Sequence, residues 1–398
     1  MYKRIIIIGA LFFCSLVGFF IFQKNIVNSR TEAAIVNDED NSSGDVDRQN
    51  GIDSNESFSN FKTKKGILEQ ITNEDSRNVS KKGNEIKKKV SILFLGDVML
   101  DRYNRILIGR HGVGYFTEKI ERLFWGQDLN VVNLEGPITR EQSVSVGKSV
   151  EDPNHFRFTF DPEQTVNFLQ ANRINLVNIG NNHILNFHNE GLEQTEDVLR
   201  EGGISYFGNP LDLEKIVIVK NMNNRQIAFV NYNQFGKFTV ADTVKIIQEV
   251  KHKTDFVIVY THWGREYELV ENDRQRNKAH QFIDAGADLI MGSHPHVVQP
   301  IEIYQGKVIF YSLGNFVFDQ YFSEDVKSIL GVGVLLEDDK ISFSLIPLYM
   351  QNNGQLEMMD GERKQKFLQN LTERSKIGSG QKDDILELGE ISLEYNKL

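Results

Sequence analysis

The sequence contains almost no cysteine, and this scarcity limits what can stabilise the protein. Its 398 residues include a single cysteine, Cys14, so no disulfide can form within the chain. The stability of the fold must therefore come from side-chain packing and from any metal that it binds.

Net positive charge is also lacking. The formal net charge is −10 at pH 7, whereas a general nucleic-acid binder needs a positive surface that displaces counterions from phosphates. The Gly-x-x-x-x-Gly-Lys-Ser/Thr loop that would hold the phosphates of ATP does not occur. We therefore predict no nucleic-acid partner, and an ATP-consuming step would belong to another protein.

Long uncharged apolar runs are scarce, and one lies near the amino terminus. Residues 5–22 carry no charge and follow Lys3 and Arg4. As a helix they would extend about 27 Å, close to the hydrocarbon thickness of a bilayer. A cleaved signal peptide is the alternative, but large aromatic residues stand where a small-x-small site would be needed. We predict an uncleaved anchor over residues 1–24, making a single-pass cell-membrane protein with its amino terminus inside and its domain extracytoplasmic.

Two further segments lack a sustained apolar period. Residues 25–89 are mainly acidic in their first half and mainly basic in their second half. Such a segment buries too little apolar surface to offset its ordering entropy, so it is predicted to be a disordered linker. Its basic half could contact an anionic polymer or lipid headgroups, although a solvated linker is the simpler interpretation. Residues 351–398 are predicted to be a charged C-terminal extension, to which no role is assigned.

Residues 90–350 carry nearly all of the periodic apolar signal and are predicted to form one large α/β domain. Apolar strand-like runs alternate with amphipathic stretches of helical period at 116–124, 162–170, 191–201 and 274–285. This alternation predicts a mostly parallel sheet with flanking helices. Late apolar runs leave no room for helices between them, at 308–311, 328–336 and 341–348. They predict antiparallel strands and a second sheet packed on the first.

Six strand-like runs end at residues that can bind metal or assist catalysis. The runs are 90–95, 129–134, 174–179, 256–261, 288–291 and 307–313. The residues that follow them are Asp97, Glu135, Asn182 with His183, His262, His294 with His296, and Asn315. Since the carboxyl ends of parallel strands form the edge where ligands bind, we expect these side chains to meet at one rim. Carboxylates, an amide and imidazoles suit a divalent cation.

Each of these residues alone has a simpler structural interpretation. An Asp after a strand, such as Asp97, often caps the next helix, and a lone His is more often structural than a ligand. The combination favours metal, since His294 and His296 flank a proline directly after a buried strand. His183 adjoins the weak amide ligand Asn182, so it can face a substrate as a general acid or electrostatic stabiliser.

Six motifs, taken in order, resemble those of a known bacterial family. They are Gly96-Asp97-Val98-Met99, Asn133-Leu134-Glu135-Gly136-Pro137, Asn181-Asn182-His183, His262-Trp263-Gly264-x-Glu266-Tyr267, Gly292-x-His294-Pro295-His296 and Ser312-Leu313-Gly314-Asn315-Phe316. Over residues 90–348 the chain resembles the bacterial capsule synthesis proteins, the CapA/PgsA family of poly-γ-glutamate production. The resemblance implies a calcineurin-like metallophosphoesterase fold and membership of a membrane complex that makes or exports an anionic polyamide capsule.

The resemblance also implies roles for individual residues. Asp97 would begin the first metal loop, Glu135 would take the place of a bridging aspartate, and His183 would be the catalytic imidazole. The remaining ligands, around one or two Mn, Fe or Zn ions, would be Asn182, His262, His294 and His296. Met99 departs from the pattern, because the phosphoesterases have a His there and a thioether is a poor ligand for hard cations. One of the two metal positions could therefore be weak or empty.

Three functions remain open on the sequence. The chain could be a metal-dependent hydrolase of an anionic polymer or phosphoester, with the substrate-binding residues Arg102, Arg157, Arg265, Glu266 and Asn315. For each arginine, a structural salt bridge is an equally good interpretation. It could instead be a non-catalytic accessory subunit that binds the polymer and joins membrane-embedded polymer synthase subunits. A phosphoesterase unrelated to capsule would keep the fold and change the substrate.

Overall fold

Two β-sheets form the centre of the protein in a computed structural model, which describes residues 89–394. The strands are β1 Val90–Val98, β2 Leu129–Leu134, β3 Leu176–Asn178, β4 Ser205–Phe207, β5 Val217–Met222, β6 Arg225–Asn233, β7 Phe256–His262, β8 Leu289–Ser293, β9 Ile301–Tyr304, β10 Lys307–Phe310, β11 Asn315–Val317, β12 Ser328–Leu336, β13 Lys340–Met350, β14 Leu356–Met358 and β15 Glu390–Glu394.

Helices follow most of the parallel strands. They are α1 Arg102–His111, α2 Pro162–Ala171, α3 His188–Glu201, α4 Val240–Lys251, α5 Asp273–Asp284, α6 Glu324–Lys327, α7 Gly361–Arg374 and α8 Ser379–Leu388. Local sequence explains where several of them begin. Asp161 caps α2 with Pro162 in its first turn, and Thr239 and Asn272 open α4 and α5 with capping boxes.

The first sheet has nine strands in the order β14-β13-β12-β1-β2-β3-β4, with β11 beside β1 and β15 beside β13. Strands β1 to β4 pair in parallel, as expected for strands joined by helical crossovers. Strands β12 and β13 pair antiparallel and continue the sheet from β1. The carboxyl ends of these parallel strands therefore lie side by side, and the loops that follow them converge there.

The second sheet has six strands in the order β5-β6-β7-β8-β10-β9. Its four central strands are parallel, and β5 and β9 close its edges in antiparallel pairs. The late apolar runs are thus divided: β10 belongs to the second sheet, whereas β12 and β13 extend the first. The predicted α/β sandwich of a mostly parallel sheet, a second packed sheet and flanking helices is confirmed.

Alternating side chains place apolar groups in three layers. Phe94 of β1 and Tyr260 of β7 meet between the sheets, with ring centroids 6.4 Å apart. Leu93 faces the helices on the outer side of the first sheet, and Val259 faces those on the outer side of the second. Each strand therefore contributes to two cores, because successive residues point to opposite faces of a sheet.

Two segments differ from what their sequence predicts. The amphipathic stretch 116–124 is not one α-helix; it forms 3₁₀ turns at Val113–Phe116 and Glu121–Phe124, although Phe116, Ile120 and Phe124 are still buried. The segment after residue 350, left without a role above, joins the fold. Strand β15 pairs with β13, and Leu371 and Ile385 of α7 and α8 belong to the core between the sheets.

The structure contradicts the predicted cell-membrane location. In the range 89–394, no helix is long and apolar enough to cross a bilayer. The longest helices there, α3 and α7, have 14 residues each and both carry charged faces, whereas a membrane span needs about 20 apolar residues. The predicted anchor and linker, residues 1–24 and 25–89, lie outside the described residues apart from Lys89.

Candidate metal centre

The carboxyl ends of β1, β2, β7 and β8 converge at one rim, where the two sheets approach each other. Gly96 allows the start of β11 to lie close against β1, because a Cβ at position 96 would lie 1.8 Å from the carbonyl oxygen of Gly314. Asp97 follows in register with Asn133 of β2 and Asn315 of β11. The strand end is therefore held between two neighbours, and its carboxylate is buried.

Two groups of side chains at this rim have the geometry of cation sites. In the described part of the chain, the ligand atoms of each group lie within 4.8 Å of one another, and every member is buried. One group is Glu135, His262 and His294; the other is Asp97, Glu135 and His296. Both contain Glu135, so its carboxylate lies where one side chain could contact two cations.

Glu135 is the most exceptional side chain of the rim. It is fully buried, and among residues 89–394 neither of its carboxylate oxygens has a hydrogen-bond partner. Its Oε1 lies 3.9 Å from Nε2 of His262 and 3.8 Å from Nε2 of His296. Burial, followed by the negative charges of Asp97 and Glu266, raises its pKa well above the usual range. A buried carboxylate without donors is costly unless a cation neutralises it, so the residues present fit a divalent metal.

Asp97 is partly compensated by hydrogen bonds. Its Oδ1 accepts from Nδ2 of Asn133 at 2.8 Å, and its Oδ2 accepts from the backbone N–H of His294 at 3.1 Å. Burial raises the pKa of Asp97 to about 7, although both hydrogen bonds oppose the shift. Nδ1 of His296 lies 3.5 Å from Oδ2. Its neighbours therefore orient this carboxylate toward His296, another member of the second group.

The site imidazoles are held in the form that binds metal. Burial lowers the pKa of His262 and His294 well below the usual value and that of His296 to about 3. A neutral imidazole has one nitrogen lone pair free for a cation. Nδ1 of His294 is buried and has no hydrogen-bond partner within the described range, which leaves this atom available as a ligand.

The backbone of the His294-Pro295-His296 turn is strained. His294 has φ +95° and His296 has φ +58°, in the region that side chains other than glycine seldom adopt. Such conformations persist only where the surrounding structure imposes them, and they concentrate at functional sites. Here the strain directs both imidazoles of one short turn into the same rim.

Asn182 and His183 lie on the loop after β3, on the open side of the cluster. Oδ1 of Asn182 is 2.9 Å from Nε2 of His262, which places the amide beside the first group. Asn186 Oδ1 accepts from the N–H of Phe158 at 2.9 Å, so Nδ1 of His183, 3.1 Å away, must donate to it as well. The neutral ring then presents its Nε2 lone pair toward Glu135, 3.9 Å distant.

This tautomer has a consequence for the predicted role of His183. Burial lowers the pKa of His183 to about 4, so at neutral pH its Nε2 is an acceptor. Phe158 packs on the ring, with centroids 4.3 Å apart, and holds it in place. The predicted general-acid role would first require the ring to gain a proton.

The five predicted substrate-binding residues lie in different environments. Arg102 is buried, pairs with Asp319 and lies over the rings of Phe158 and Phe318 at 5.0 and 5.5 Å. The structural interpretation therefore accounts for much of its contacts, although its charge still acts on Glu135. Arg265 is exposed next to the rim.

The three others have distinct positions. Arg157 lies 4.7 Å over the Phe187 ring, outside the cluster. Glu266 is half-buried, and burial raises its pKa. Oδ1 of Asn315 is 2.9 Å from Nδ1 of His296, so Asn315 orients a candidate ligand. Substrate contact by these residues stays a prediction.

Met99 is not part of the cluster. Its side chain is fully buried in the core on the outer face of the first sheet, and its sulfur accepts from the N–H of Asp101 at 3.1 Å. Asp101, the next carboxylate along the chain, accepts instead from Arg105, Ser145 and Thr159. Neither residue supplies the ligand that the phosphoesterase pattern would have at position 99.

Sequence reasoning missed the asparagines beneath the site. Asn133 donates to Asp97 and lies 3.3 Å from Nδ1 of His262. Its own Oδ1 accepts from Asn178 at 2.8 Å, and Asn178 in turn accepts from Asn231 of the second sheet at 2.9 Å. The available signal was a polar residue near the end of an apolar strand, since each of these asparagines is buried there.

The fold and the rim define an α/β sandwich with a buried carboxylate–imidazole cluster at its strand ends. The sequence profile described as "Bacterial capsule synthesis protein PGA_cap" matches residues 91–320. The chain therefore belongs to this family of bacterial capsule synthesis proteins, as its motifs predict.

Two Bacillus proteins agree with the family assignment. The chain is 31% identical over 276 residues to the PGA biosynthesis protein CapA of Bacillus subtilis, covering 65% of this chain and 71% of that protein. It is 29% identical over 325 residues to the capsule biosynthesis protein CapA of Bacillus anthracis, covering 76% and 78%. It is also similar to the solved structure of a predicted phosphoesterase from Streptococcus pneumoniae, with 11% identity, coverage of 69% and 95%, and a TM-score of 0.26.

Proposed function

We propose that this chain is a metal-dependent component of capsular poly-γ-glutamate synthesis, and that its rim acts on the anionic polymer. The observation that carries the proposal is the Glu135 carboxylate, which is buried without a donor between two ligand groups. The two CapA relatives in Bacillus supply the process. The rim supplies the chemistry, because a divalent cation there would neutralise the acids and attract a polyanion.

Most of the predicted rim residues would bind metal. Asp97, Glu135, His262, His294 and His296 would hold one or two divalent ions, with Asn182 as a further neutral ligand. A bound cation would polarise a carbonyl or phosphoryl oxygen and lower the pKa of a bound water. The chain's own contribution is to orient these ligands through hydrogen bonds and to exclude bulk water.

His183 would act at the open side of the cluster. Its ring is fixed by Asn186 and Phe158, and Nε2 faces Glu135. This position allows the ring to accept a proton from a nucleophile that reacts at the rim. Arg265, Glu266 and Arg102 would contribute the charges that surround the substrate.

A non-catalytic accessory role is the second candidate, and one observation favours it. The sequence has no Gly-x-x-x-x-Gly-Lys-Ser/Thr loop, so a partner must activate glutamate if activation uses that motif. In this version the same rim binds the polymer, and polymer synthase subunits perform the chemistry. The two versions share the metal centre and differ in what His183 does.

Metal analysis of the purified full-length chain tests the proposal. We expect the parent to retain a divalent ion through dialysis and His294→Ala to lose it, because that variant removes an unpartnered ligand atom. His280→Ala is the matched control, since His280 lies outside the rim and contacts Glu302 at 2.9 Å. Equal metal content in the parent and His294→Ala would contradict the proposal.

Polymer production in cells separates the two candidates. In a strain that depends on this chain, His183→Ala that retains metal but abolishes poly-γ-glutamate supports catalysis at the rim. His183→Ala that retains both metal and polymer supports the accessory role. Normal polymer production by a metal-free His294→Ala chain would contradict both.

A further inference from the structure

A second candidate binding site lies beside the metal centre. A cavity of about 270 Å³ opens between the loop after Ile138 and the start of α3. It is lined by Arg157, Phe187, His188, Glu141, Glu190 and Gln194, and we name it the Arg157 cavity. Small-molecule pockets begin near about 300 Å³, so this space suits one residue-sized group rather than a long stretch of polymer. The cavity contains none of the cluster ligands.

Side chains of both charge signs line this cavity. Arg157 lies over the Phe187 ring and donates through Nε to the carbonyl oxygen of Asn186 at 3.2 Å. None of the ion pairs found within residues 89–394 includes Arg157, Glu141 or Glu190. A guanidinium fixed at Nε still has its two terminal NH₂ groups to offer to a carboxylate.

One residue links the cavity to the metal centre. The backbone oxygen of Asn186 accepts from Arg157, and its side-chain oxygen accepts from Nδ1 of His183. His183 in turn faces Glu135, with Nε2 3.9 Å from Oε1. A group bound in the cavity is therefore one residue away from the loop that positions the candidate catalytic imidazole.

The chemistry of a γ-linked polymer suggests what would bind. An interior glutamyl residue presents only an α-carboxylate, which Arg157 would attract and the two glutamates would repel. The amino-terminal residue presents an α-carboxylate and an α-ammonium on the same carbon. Only this zwitterion matches a lining that has a guanidinium and two carboxylates.

We propose that the Arg157 cavity binds the amino-terminal residue of a γ-glutamyl chain, with its α-carboxylate on Arg157 and its α-ammonium on Glu141 and Glu190. This inference rests on the proposed function, because it assumes that the rim meets poly-γ-glutamate. It also specifies which end of the polymer binds. The amino-terminal residue would occupy the cavity, and the next γ-linkage would lie toward His183 and the metal.

Calorimetric titration of the metal-loaded, full-length chain tests the proposal. The probes are γ-glutamylglutamate with a free amine and its N-acetylated form. We expect the parent to bind the free-amine probe about tenfold or more tightly than the acetylated one, because acetylation removes the ammonium. Arg157→Gln should weaken both probes by about tenfold or more. Glu190→Gln should weaken only the free-amine probe.

Arg200→Gln is the matched control, because Arg200 lies on α3, is exposed, and pairs with Asp197 away from the cavity. It should bind both probes as the parent does. Equal affinity of the parent for the two probes, or no effect of Arg157→Gln, would overturn the assignment. If His294→Ala still loses metal and polymer production in that case, the proposed function stands and the cavity alone is refuted.

Discussion

Two buried carboxylates lie at opposite ends of the parallel strands, and they differ in whether their charge is compensated. Glu135 lies at the carboxyl ends of the strands and has no hydrogen-bond donor in the described part of the chain. Asp288 lies at the amino end of β8 and accepts from Lys251 at 2.7 Å, Lys307 at 2.9 Å and the N–H of Val257 at 2.9 Å. The same functional group is thus left open at one edge and fully engaged at the other.

Backbone strain accompanies the open carboxylate, although positive φ also occurs at the amino ends of strands, at Arg173, Asn223, Asn224 and Gln305. The left-handed His294 and His296 conformations occur at the carboxyl edge, where their imidazoles enter the cluster. Uncompensated charge and strained backbone both cost stability, so a fold retains them where a ligand or a reaction requires them. We infer that the carboxyl edge depends on a ligand for its stability and that the amino edge stabilises the fold without one.

The largest effect is expected from Glu135→Gln. The change keeps the shape and removes the charge shared by both ligand groups, so affinity for a divalent metal should fall about a thousandfold, beyond the 10–100-fold cost of losing a supporting residue. The free energy of unfolding of the metal-free protein should stay the same or rise, because Gln is neutral as it stands, whereas burying Glu135 without metal requires its carboxyl group to take up a proton. Metal titration and urea unfolding measure the two quantities. A variant that binds metal like the parent would remove the distinction between the two edges.

Asp288→Ala should have the opposite profile. Removing this acceptor leaves the N–H of Val257 unpaired and separates two lysines from their counter-charge, so unfolding should become easier by about 3 kcal/mol. The lysine side chains are about one-third exposed and can reach water, which keeps the cost from being larger. Metal affinity of the folded protein should not change. If Asp288→Ala instead lowered metal affinity and left the free energy of unfolding unchanged, the assigned roles of Asp288 and Glu135 would be contradicted.

Asn133→Ala tests whether the asparagine network supports the metal centre. Asn133 donates to Asp97 and lies against His262, so its loss should reduce metal affinity about 10–100-fold. Asn209→Ala serves as the control, because Asn209 is also buried but its side chain donates to Glu196 of α3 rather than to a cluster ligand. If both variants lower metal affinity equally, the effect is one of general packing.

Acidification should weaken metal binding to a smaller extent. In the metal-free protein the pKa of Asp97 is raised to about 7 and that of Glu135 lies well above its usual range. A cation must displace these protons below that pH, so affinity should fall about tenfold or more between pH 8 and pH 6. Calorimetry in buffers of different ionisation enthalpy should also detect proton release on binding at pH 6. Affinity that is independent of pH would mean that neither acid is a ligand.

Much of the rim could be anticipated because its signal is local. Apolar strands that end in Asp97, Glu135, His262 and the His294-Pro295-His296 turn are visible as residue types in order, and parallel strand ends share one edge. The interpretation of Arg102 as a substrate residue could not be tested in this way. Whether a guanidinium is open or paired depends on Asp319, which follows it by 217 positions.

The carboxyl-terminal segment shows the same limit. Helices α7 and α8 carry mostly polar and charged residues, and the few apolar positions, such as Leu371 and Ile385, do not stand out in the sequence. They are buried because β15 pairs with β13 and brings them over the sheet edge. Pairing of this kind depends on register with a distant strand, which a local pattern does not encode.

The sequence by itself determined the class of fold, the family and the kinds of side chain at the strand ends, because alternation, helix caps and motif order are properties of short segments. Only the tertiary structure decided which atoms meet. Sheet order and register leave the Glu135 oxygens without donors, give Asp97 its partner Asn133, and separate Arg157 from the cluster by one residue, Asn186. Distances, desolvation and compensation of charge arise between segments far apart in the chain, and they exist only once those segments have packed.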